Sequence, residues 1–265
     1  MALARIAPLD ADVLLAHALG ITKEDLYAHP EAPVDAERDA VFRGLLERRA
    51  SGEPVAYLRG FKDFYGLRFA VDPRVLIPRP ETETLVDAVL ASGARLVADI
   101  GTGSGAIAVA LAVHSPEVRV IATDISADAL AVARENAAAH GVADRIDFRQ
   151  GDLFEPVHER VDAVAANLPY LTDESVEEWT DERTSLAFEP RTAVLAGADG
   201  LAHIRRAIAD LPRVLGPGGV AFFECDPPQA RALAAEHGGE VLRDLAGNER
   251  VLVLRAAGRG AMMAP

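Results

Sequence analysis

Short apolar runs alternate with segments of helical periodicity from about residue 74 to residue 256. The apolar runs predict strands at 95–100, 118–123, 145–150, 161–166, 219–225, 240–245 and 250–255. The helical periodicity predicts helices at 81–91, 104–113, 127–140, 200–212 and 228–237. Alternation at this spacing is typical of a largely parallel sheet with helices on both faces. The last two strands, joined through Gly247-Asn248, indicate an antiparallel hairpin at one edge of the sheet.

The first 55 residues have a helical pattern without strands. Thr22, followed by Asp25 three residues later, predicts a capped start of a short helix. A further helix is predicted over 35–49, and its apolar stripe consists of Val41, Phe42, Leu45 and Leu46. We therefore expect residues 1–55 to form a small helical bundle that helps to dock the substrate.

Aromatic residues concentrate between the bundle and the alternating region. Residues 56–73 alternate partly and contain Gly60 and Gly66 as turn points, which predicts a β-hairpin linker. The chain is accordingly divided into the bundle at 1–55, the linker at 56–73, an α/β domain at 74–256 and a tail at 257–265. The acidic segment 173–182 is interpreted as a solvated loop.

The composition is that of a globular chain of 265 residues, half of them apolar. A single cysteine, Cys225, excludes an intramolecular disulfide and fits a reducing compartment. The seven histidines are scattered, so no metal site is predicted. Neither a signal peptide nor an apolar run of the roughly 18 residues that a membrane span needs is present. We therefore expect a cytoplasmic protein with no membrane partner.

The formal net charge of −14 bears on the class of partner. Non-specific nucleic-acid binding depends on Lys and Arg that neutralise phosphates, and an acidic protein repels them. Arg43, Arg48 and Arg49 form a local cluster that leaves room for a basic patch. The overall charge nevertheless favours a protein or small-molecule substrate over DNA or RNA.

A glycine-rich segment, Asp99-Ile100-Gly101-Thr102-Gly103-Ser104-Gly105, stands at the turn from the strand at 95–100 into a helix. Its glycines allow the backbone to pass close under a ligand, and the helix start offers free N–H groups. The third glycine comes one position too early for a dinucleotide fingerprint, and no Walker lysine follows. Asp99 argues against a phosphate ligand and for a cationic or amino-acid ligand.

Two further acidic positions follow the next predicted strands. Asp124 ends the strand at 118–123, where a carboxylate can accept hydrogen bonds from both ribose hydroxyls. Asp152 and Leu153 follow the strand at 145–150, where the carboxylate or the backbone can contact an adenine edge. A glycine loop alone fits an ordinary tight turn. With these residues in order at successive strand ends, the sequence predicts an S-adenosylmethionine site.

The strand at 161–166 is followed by Asn167-Leu168-Pro169-Tyr170. An amide nitrogen is a poor nucleophile, so an enzyme that methylates it must align its lone pair and accept hydrogen bonds from its N–H groups. Asn167 Oδ1 and the Leu168 carbonyl are the candidate acceptors, and Tyr170 can stack on the planar group. Without a donor site, the same four residues would be interpreted as a turn after a strand.

The residues also carry a family resemblance. The matching segments are Gly52-Glu53-Pro54-Val55-Ala56-Tyr57-Leu58, Leu76-Ile77-Pro78-Arg79-Pro80-Glu81-Thr82-Glu83, the loop from Asp99 to Gly105, Glu189-Pro190-Arg191, and Gly247-Asn248-Glu249-Arg250-Val251. Together with Asn-x-Pro-Tyr, these segments resemble the release-factor glutamine methyltransferases (the HemK/PrmC family). The Ile-Pro-Arg-Pro-Glu-Thr-Glu run is the specific part, because Asn-x-Pro-Tyr is shared with enzymes that methylate amino groups of nucleic acids.

The resemblance implies a Rossmann-like class I methyltransferase domain and a monomer that acts on class 1 peptide chain release factors. It implies methyl transfer from S-adenosylmethionine to the glutamine amide of their Gly-Gly-Gln motif, with S-adenosylhomocysteine as product. Donor binding maps onto Gly101 to Gly105, Asp124, Leu153 and Asn167, and glutamine binding onto Asn167 to Tyr170. The chain departs from the family at Leu168, where a proline is usual, and at Leu153, where some members carry an aromatic residue.

Two alternatives stay open at this point. A nucleic-acid amino methyltransferase acting on adenine or guanine would use the same tetrapeptide, but it would need a basic groove. A non-catalytic binding module of the same fold would be expected to have a broken donor loop, and here the loop is intact.

Overall fold

Within residues 6–172 and 185–256, which the computed structural model describes, seven strands form one sheet and two form a separate hairpin. In chain order the strands are β1 (Phe61–Phe64), β2 (Leu67–Ala70), β3 (Leu96–Ile100), β4 (Arg119–Asp124), β5 (Ile146–Gln150), β6 (Val161–Ala166), β7 (Leu215–Glu224), β8 (Glu240–Arg243) and β9 (Glu249–Arg255). The order across the large sheet is β5-β4-β3-β6-β7-β9-β8, parallel from β5 to β7, and β9 is antiparallel to both neighbours. The predicted α/β fold with an antiparallel edge hairpin is confirmed.

Helices cover both faces of this sheet. In chain order the α-helices are α1 (Pro8–Leu19), α2 (Lys23–Ala28), α3 (Ala36–Ala50), α4 (Val55–Arg59), α5 (Glu83–Ala91), α6 (Ala106–His114), α7 (Ala127–Ala139), α8 (Arg191–Val194), α9 (Ala202–Val214) and α10 (Pro227–His237). One apolar core joins α5, α6 and α7 to the sheet, and a second joins α9 and α10 to the opposite face. Because side chains alternate along a strand, Val97 packs in the first core and Ala98 in the second.

The connections of the sheet create a crevice beside β3. The chain proceeds from β3 outward to β4 and β5, and then returns to the other side of β3 as β6. Ile100 and Ala166 are paired neighbours at the ends of β3 and β6. Ligands of open parallel sheets bind at such a reversal, outside the carboxyl ends of the strands. The glycine-rich loop and the tetrapeptide that begins at Asn167 therefore start side by side.

The N-terminal helices pack around a small apolar cluster of their own. Its buried members are Leu14, Leu45, Leu46 and Leu58. The capping box at the start of α2 is present, because the Thr22 hydroxyl accepts from the Asp25 backbone N–H and the Asp25 carboxylate accepts from that of Thr22. Val41 was expected on the apolar stripe of α3, but its side chain is 50% exposed. Helical spacing marked the buried face correctly at Leu45, Leu46 and the partly buried Phe42, which packs against this cluster.

The predicted hairpin linker is partly wrong. The hairpin is confined to β1 and β2, and residues 56–59 belong to α4. Pro54 precedes this short helix, and Gly60 ends it in the left-handed conformation with a φ of 75°. The Tyr57 hydroxyl donates to the buried carbonyl of Val75 at 2.6 Å, which ties α4 to the segment that precedes α5. Tyr57, which suggested a strand here, instead forms a buried contact from a helix.

The remaining differences concern β7, the tail and the acidic segment. β7 begins at Leu215, four residues before its predicted start, and its pairing with β6 is irregular between Val161 and Ala163. The predicted tail at 257–265 and the whole acidic segment 173–182 lie outside the described residues. In the part of the chain that is described, no helix is long and apolar enough to cross a membrane.

Candidate functional site

Two adjoining cavities open at the carboxyl ends of β3 and β6. The loop cavity, of about 150 Å³, is lined by residues that include Gly101, Gly103, Asp124, Asp152 and Leu153. The bundle cavity, of about 520 Å³, is lined by residues that include Asp10, Arg49, Arg79, Glu81, Tyr170 and Arg250. Asn167, Leu168 and Pro169 line both cavities. The structure thus places six of the ten predicted donor residues on the loop cavity and the predicted acceptor residues on the bundle cavity, with a shared wall between them.

The glycine-rich loop turns sharply above the end of β3. Gly101, Gly103 and Gly105 have φ angles of 71°, 55° and 79°, in the region that L-residues adopt at a cost. The backbone N–H groups of Gly101 and Thr102 both donate to the Thr123 carbonyl, at 2.8 and 2.9 Å. A Cβ atom on Gly101 would lie 3.1 Å from Leu168 Cδ2. The loop therefore packs directly on the side chain that replaces the family's proline.

Four predicted donor residues lie beneath or within the loop and are not on the wall of either cavity: Asp99, Thr102, Ser104 and Gly105. Asp99 is fully buried and accepts from the Thr102 hydroxyl at 2.6 Å and from the Ala108 backbone N–H at 3.2 Å. Its other carboxylate oxygen has no hydrogen-bond partner among the described residues. Burial raises the pKa of Asp99 to about 7. Direct contact of these four residues with a donor stays a prediction.

Asp124 stands at the end of β4 with its carboxylate on the loop cavity. The backbone N–H groups of Gly103 and Ser126 donate to its two oxygens at 2.9 and 2.8 Å. Burial raises the pKa of this carboxyl, and the backbone hydrogen bonds oppose that effect. Each carboxylate oxygen can accept a second hydrogen bond, so Asp124 has free lone pairs for hydroxyl groups of a ligand.

Asp152 and Leu153 line the loop cavity, but they differ in what they can offer. The Asp152 carboxylate accepts from Arg206 at 2.6 Å, so an ion pair already engages it. Leu153 has a φ of 48°, which is strained for a residue with a side chain, and the Thr123 hydroxyl donates to its carbonyl at 2.9 Å. A strained backbone at a cavity wall favours the Leu153 main chain over the Asp152 side chain as the contact with a flat base.

Asn167 occupies the position where the two cavities meet. Its Nδ2 donates to the Thr82 hydroxyl oxygen at 3.0 Å. This hydrogen bond fixes the amide orientation, and Oδ1 has no donor among the described residues. An amide oxygen at the shared wall, with no donor within residues 6–172 and 185–256, can accept from an N–H group that enters from the bundle cavity.

Tyr170 lines the bundle cavity with a largely buried ring. Its carbonyl accepts from Gln229 Nε2 at 2.9 Å, which anchors the tetrapeptide to α10. Burial raises the pKa of the Tyr170 hydroxyl well above its ordinary value, and the nearby Glu224 carboxyl adds to the effect. The ring is therefore neutral at physiological pH and offers a planar surface for stacking.

Sequence reasoning missed three contributors to the site. Thr82 was noted in the sequence only as part of the Ile-Pro-Arg-Pro-Glu-Thr-Glu segment, although its hydroxyl orients Asn167. Glu189 is buried and accepts from Arg79 at 2.5 Å and from the Ile77 backbone N–H at 3.2 Å. Gln229 was not considered. Only the first two lie in segments that carried a sequence signal, and no pattern pairs residues that are 85 or 110 positions apart.

The residues of the loop cavity fit S-adenosylmethionine. A Cβ added at Gly103 would meet no atom within 4 Å, so this part of the loop is open to a ligand, and Asp124 supplies acceptors on the same cavity for ribose hydroxyls. Ile125, which follows Asp124, is 63% exposed on the same wall and offers an apolar surface. In the described part of the chain, no group of three or more His, Cys, Asp or Glu residues could hold a metal ion.

Known families and proteins match the chain over most of its length. A family model described as the PrmC N-terminal domain matches residues 2–60, and one described as the methyltransferase small domain matches residues 80–184. A protein of Rhodopirellula baltica named release factor glutamine methyltransferase is 40% identical over 266 residues, which cover 94% of this chain and 89% of that protein. A protein of the same name from Cereibacter sphaeroides is 42% identical over 260 residues, covering 94% and 91%.

Solved structures resemble the chain in fold. The catalytic domain of hMettl16 in complex with an RNA hairpin matches with a TM-score of 0.56 at 15% identity, covering 86% of this chain and 83% of that one. A T. thermophilus 16S rRNA methyltransferase in complex with AdoMet and guanosine matches with a TM-score of 0.52 at 19% identity, covering 74% and 50%. At these identities the likeness shows the class I methyltransferase fold and nothing about the substrate.

Proposed function

The chain belongs to the release factor glutamine methyltransferases, and from that premise we propose that its two cavities bind the two reactants of the transfer. It is an S-adenosylmethionine-dependent enzyme that methylates a glutamine side-chain amide in a protein and leaves S-adenosylhomocysteine. The loop cavity takes the donor, and the bundle cavity takes the glutamine. The observation that carries this assignment is Asn167, whose amide is oriented by Thr82 at the wall that both cavities share.

The donor is held by groups that match its parts. Gly101 and Gly103 admit it close to the backbone, Asp124 accepts from the ribose hydroxyls, and Ile125 and Leu153 enclose the adenine. Asp99 lies beneath the loop without reaching the cavity wall, and it supplies a negative charge that favours a cationic ligand only above its raised pKa of about 7. When bound, the donor supplies an electrophilic methyl group on a sulfonium centre.

The acceptor amide is activated by alignment and by hydrogen bonding. Asn167 Oδ1 and the Leu168 carbonyl accept from the two N–H groups of the glutamine, which places the nitrogen lone pair toward the loop cavity. When bound, the donor would supply the methyl carbon for a bond to this nitrogen, sulfur would keep the electrons of the broken carbon–sulfur bond, and the proton lost from the nitrogen would pass to solvent. No strong base is required, because the amide proton becomes acidic as the new bond forms.

The substrate follows from the names of the relatives and from the shape of the bundle cavity. We take the acceptor to be the glutamine of the Gly-Gly-Gln motif in class 1 release factors. The cavity extends from Asn167 to Asp10 and Arg49 of the N-terminal helices, which supports a docking role for residues 1–55. The free Cys225 supports a cytoplasmic location, where release factors act. We also propose a monomer.

A nucleic-acid substrate is disfavoured by the charges around the N-terminal helices. Each member of the predicted basic cluster is paired: Arg43 with Asp39, Arg48 with Glu53, and Arg49 with Asp10. Guanidinium groups that are already neutralised have little left to offer a phosphate backbone. This observation favours the release factor over RNA or DNA.

A methyl-transfer assay tests the proposal. The protein is incubated with labelled S-adenosylmethionine and a class 1 release factor, either unchanged or with the motif Gln replaced by Asn. We expect label in the unchanged release factor only; equal labelling of both, or of neither, would contradict the proposed substrate.

Asn167→Ala tests the site assignment in the same assay. We expect the single-turnover rate to fall by about 100-fold or more, because one positioned hydrogen-bond acceptor is lost. The calorimetric Kd for the donor should change less than about threefold, since Gly101, Gly103, Asp124 and Leu153 remain on the loop cavity in this variant. Loss of folding, seen by circular dichroism, would make Asn167 a structural residue instead.

A further inference from the structure

A buried carboxyl group lies behind the acceptor wall and has no part in the mechanism above. Glu224 ends β7 and is completely inaccessible to solvent. Neither of its carboxylate oxygens makes a hydrogen bond of good geometry with a described residue. Burying an unsatisfied carboxyl costs several kcal/mol in general, so its presence calls for a compensating role.

Phe223 of β7 pairs with Ala166 of β6, so Glu224 and Asn167 follow directly at the same end of the sheet, and the Glu224 carboxyl interacts there with the hydroxyl of Thr82. Thr82 is itself 4% exposed, and its hydroxyl lies close enough to the carboxyl to lower the pKa of Glu224. The same hydroxyl oxygen accepts from Asn167 Nδ2 at 3.0 Å. Thr82 therefore stands between a buried carboxyl group and the amide that is assigned to the acceptor site.

Which group donates and which accepts in this chain of contacts follows from the chemistry of Glu224, Thr82 and Asn167. An ionised carboxylate only accepts hydrogen bonds, so it directs the single hydroxyl hydrogen of Thr82 toward itself. The hydroxyl then has only lone pairs to offer Asn167, which must present its NH₂ group to Thr82. The amide oxygen of Asn167 is thereby turned toward the incoming N–H group.

We propose that Glu224 is a positioning residue for the transfer, acting through the Thr82 hydroxyl to hold the Asn167 amide with its oxygen toward the acceptor. The role rests on the proposed function, because it concerns the same acceptor site. If Glu224 is protonated, its own O–H can donate to Thr82, whose hydrogen is then free to point at Asn167. The Asn167 amide can now turn over and present N–H groups to the N–H groups of the substrate, which is a repulsive arrangement.

Protonation of Glu224 is within reach of physiological pH. Burial raises its pKa to about 7, while the charges of Arg250 and Arg79 lower the pKa and that of Glu81 raises it. Tyr170 and Cys225 also face the carboxyl, and its charge raises the pKa of both groups. The chain of contacts from Glu224 through Thr82 to Asn167, called the relay below, is intact above the pKa of Glu224. It is lost as the pH falls through that pKa.

The test is the pH dependence of kcat at saturating donor, measured with the release factor as substrate. In the unchanged enzyme we expect kcat to fall as the pH drops through about 7. Asp99 titrates in the same range, but it lies under the donor loop, so saturation with donor suppresses its effect.

Three single variants and one double variant distinguish a positioning role of Glu224 from a role in packing alone. Glu224→Gln and Thr82→Val should each lower kcat by about 10- to 100-fold at pH 8 and remove the acid limb, because a misplaced acceptor costs this much. The combined variant should be no worse than either single one, since both break the same relay. Thr82→Ser, which keeps the hydroxyl, should retain both kcat and the acid limb. Glu240→Gln, at an exposed position on β8, is the matched control.

The outcomes distinguish this inference from the proposed function. If the unchanged enzyme does not label the release factor, the proposed function fails. If it does, but Glu224→Gln keeps the kcat and the acid limb of the unchanged enzyme, the relay is wrong and the proposed function stands. Should Glu224→Gln not fold, Thr82→Val and Thr82→Ser decide: equal kcat and equal pH profiles in these two variants overturn the inference.

Discussion

At the scale of single residues, Asp99 shows how a carboxyl group at a strand end can serve the loop above it. It lies on the α6 side of the sheet, fully buried, and holds the Thr102 hydroxyl and the start of α6 through one oxygen. The other oxygen has no partner among the described residues. The Asp99 carboxyl therefore stabilises the conformation of the loop, while ionising it in its buried position costs free energy.

This cost predicts a pH effect on stability. The pKa of Asp99 is about 7 in the folded protein, above its ordinary value of 3.8, so the folded state binds the proton more tightly than the unfolded state. Its contribution is fully present below about pH 4 and is lost as the pH rises through about 7, by at most about 1.4 kcal/mol per pH unit. The unfolding free energy of the unchanged protein relative to Asp99→Asn should decline over this range.

Urea denaturation of the two proteins at several pH values measures this difference. Asp144→Asn, at an exposed position, serves as the control and should show no comparable trend. A difference between the unchanged protein and Asp99→Asn that is constant from pH 4 to pH 8 would show that the Asp99 carboxyl keeps the same proton affinity on unfolding.

The residues that the sequence identified are those that follow strands directly. Gly101, Asp124 and Asn167 were predicted because a parallel sheet brings the carboxyl ends of its strands together. Thr82 could not be paired with Asn167 in this way, since it belongs to a short turn before α5 and its contact depends on how that turn packs. Likewise, the ion pair of Asp152 with Arg206 joins a loop to α9, and no local pattern indicates it.

At the scale of elements, Asn136 of α7 connects the β1–β2 hairpin to the glycine-rich loop. Its Oδ1 accepts from the Ala70 backbone N–H at 2.7 Å, and its Nδ2 donates to the carbonyls of Ala70 and Ser104 at 3.1 and 2.8 Å. The side chain is 2% exposed. One buried amide thus satisfies three backbone groups from two different elements.

Asn136→Ala should therefore destabilise the protein by about 2 to 4 kcal/mol, because buried backbone groups would lose their partners. Urea unfolding measures the change. Asn248→Ala is a suitable comparison: it removes a side-chain contact with Asp244 in the turn between β8 and β9, and we expect a loss of under about 1 kcal/mol. Equal losses of unfolding free energy in the two variants would show that the hydrogen bonds of Asn136 stabilise the protein no more than the exposed contact of Asn248.

The elements themselves were predicted best where periodicity is long. The strands and helices of the α/β domain follow the apolar pattern closely, whereas α4 was missed because it is five residues long and rich in residues that also suit strands. The flanking Pro54 and Gly60 were the available signal. The early start of β7 was missed for a different reason, since Gly216, Pro217 and Gly218 argue against a strand by propensity.

At the scale of the whole molecule, the net charge of −14 and the ion pairs of Arg43, Arg48 and Arg49 both predict that the protein does not bind RNA tightly. A fluorescently labelled RNA hairpin should show no saturable binding at protein concentrations up to about 10 µM in 150 mM salt, because phosphate neutralisation is absent. Fluorescence anisotropy measures this. Tight binding that weakens steeply with added salt would restore the nucleic-acid alternative.

The wall formed by Asn167, Leu168 and Pro169 also has a kinetic consequence. Asp152 and His203 line only the loop cavity, and Asp10 and Arg49 line only the bundle cavity. We therefore expect the two reactants, bound as proposed, to contact this wall from different sides, so that spent donor leaves while the protein substrate remains bound. The expected consequence is a random sequential order of binding, in which either reactant binds first.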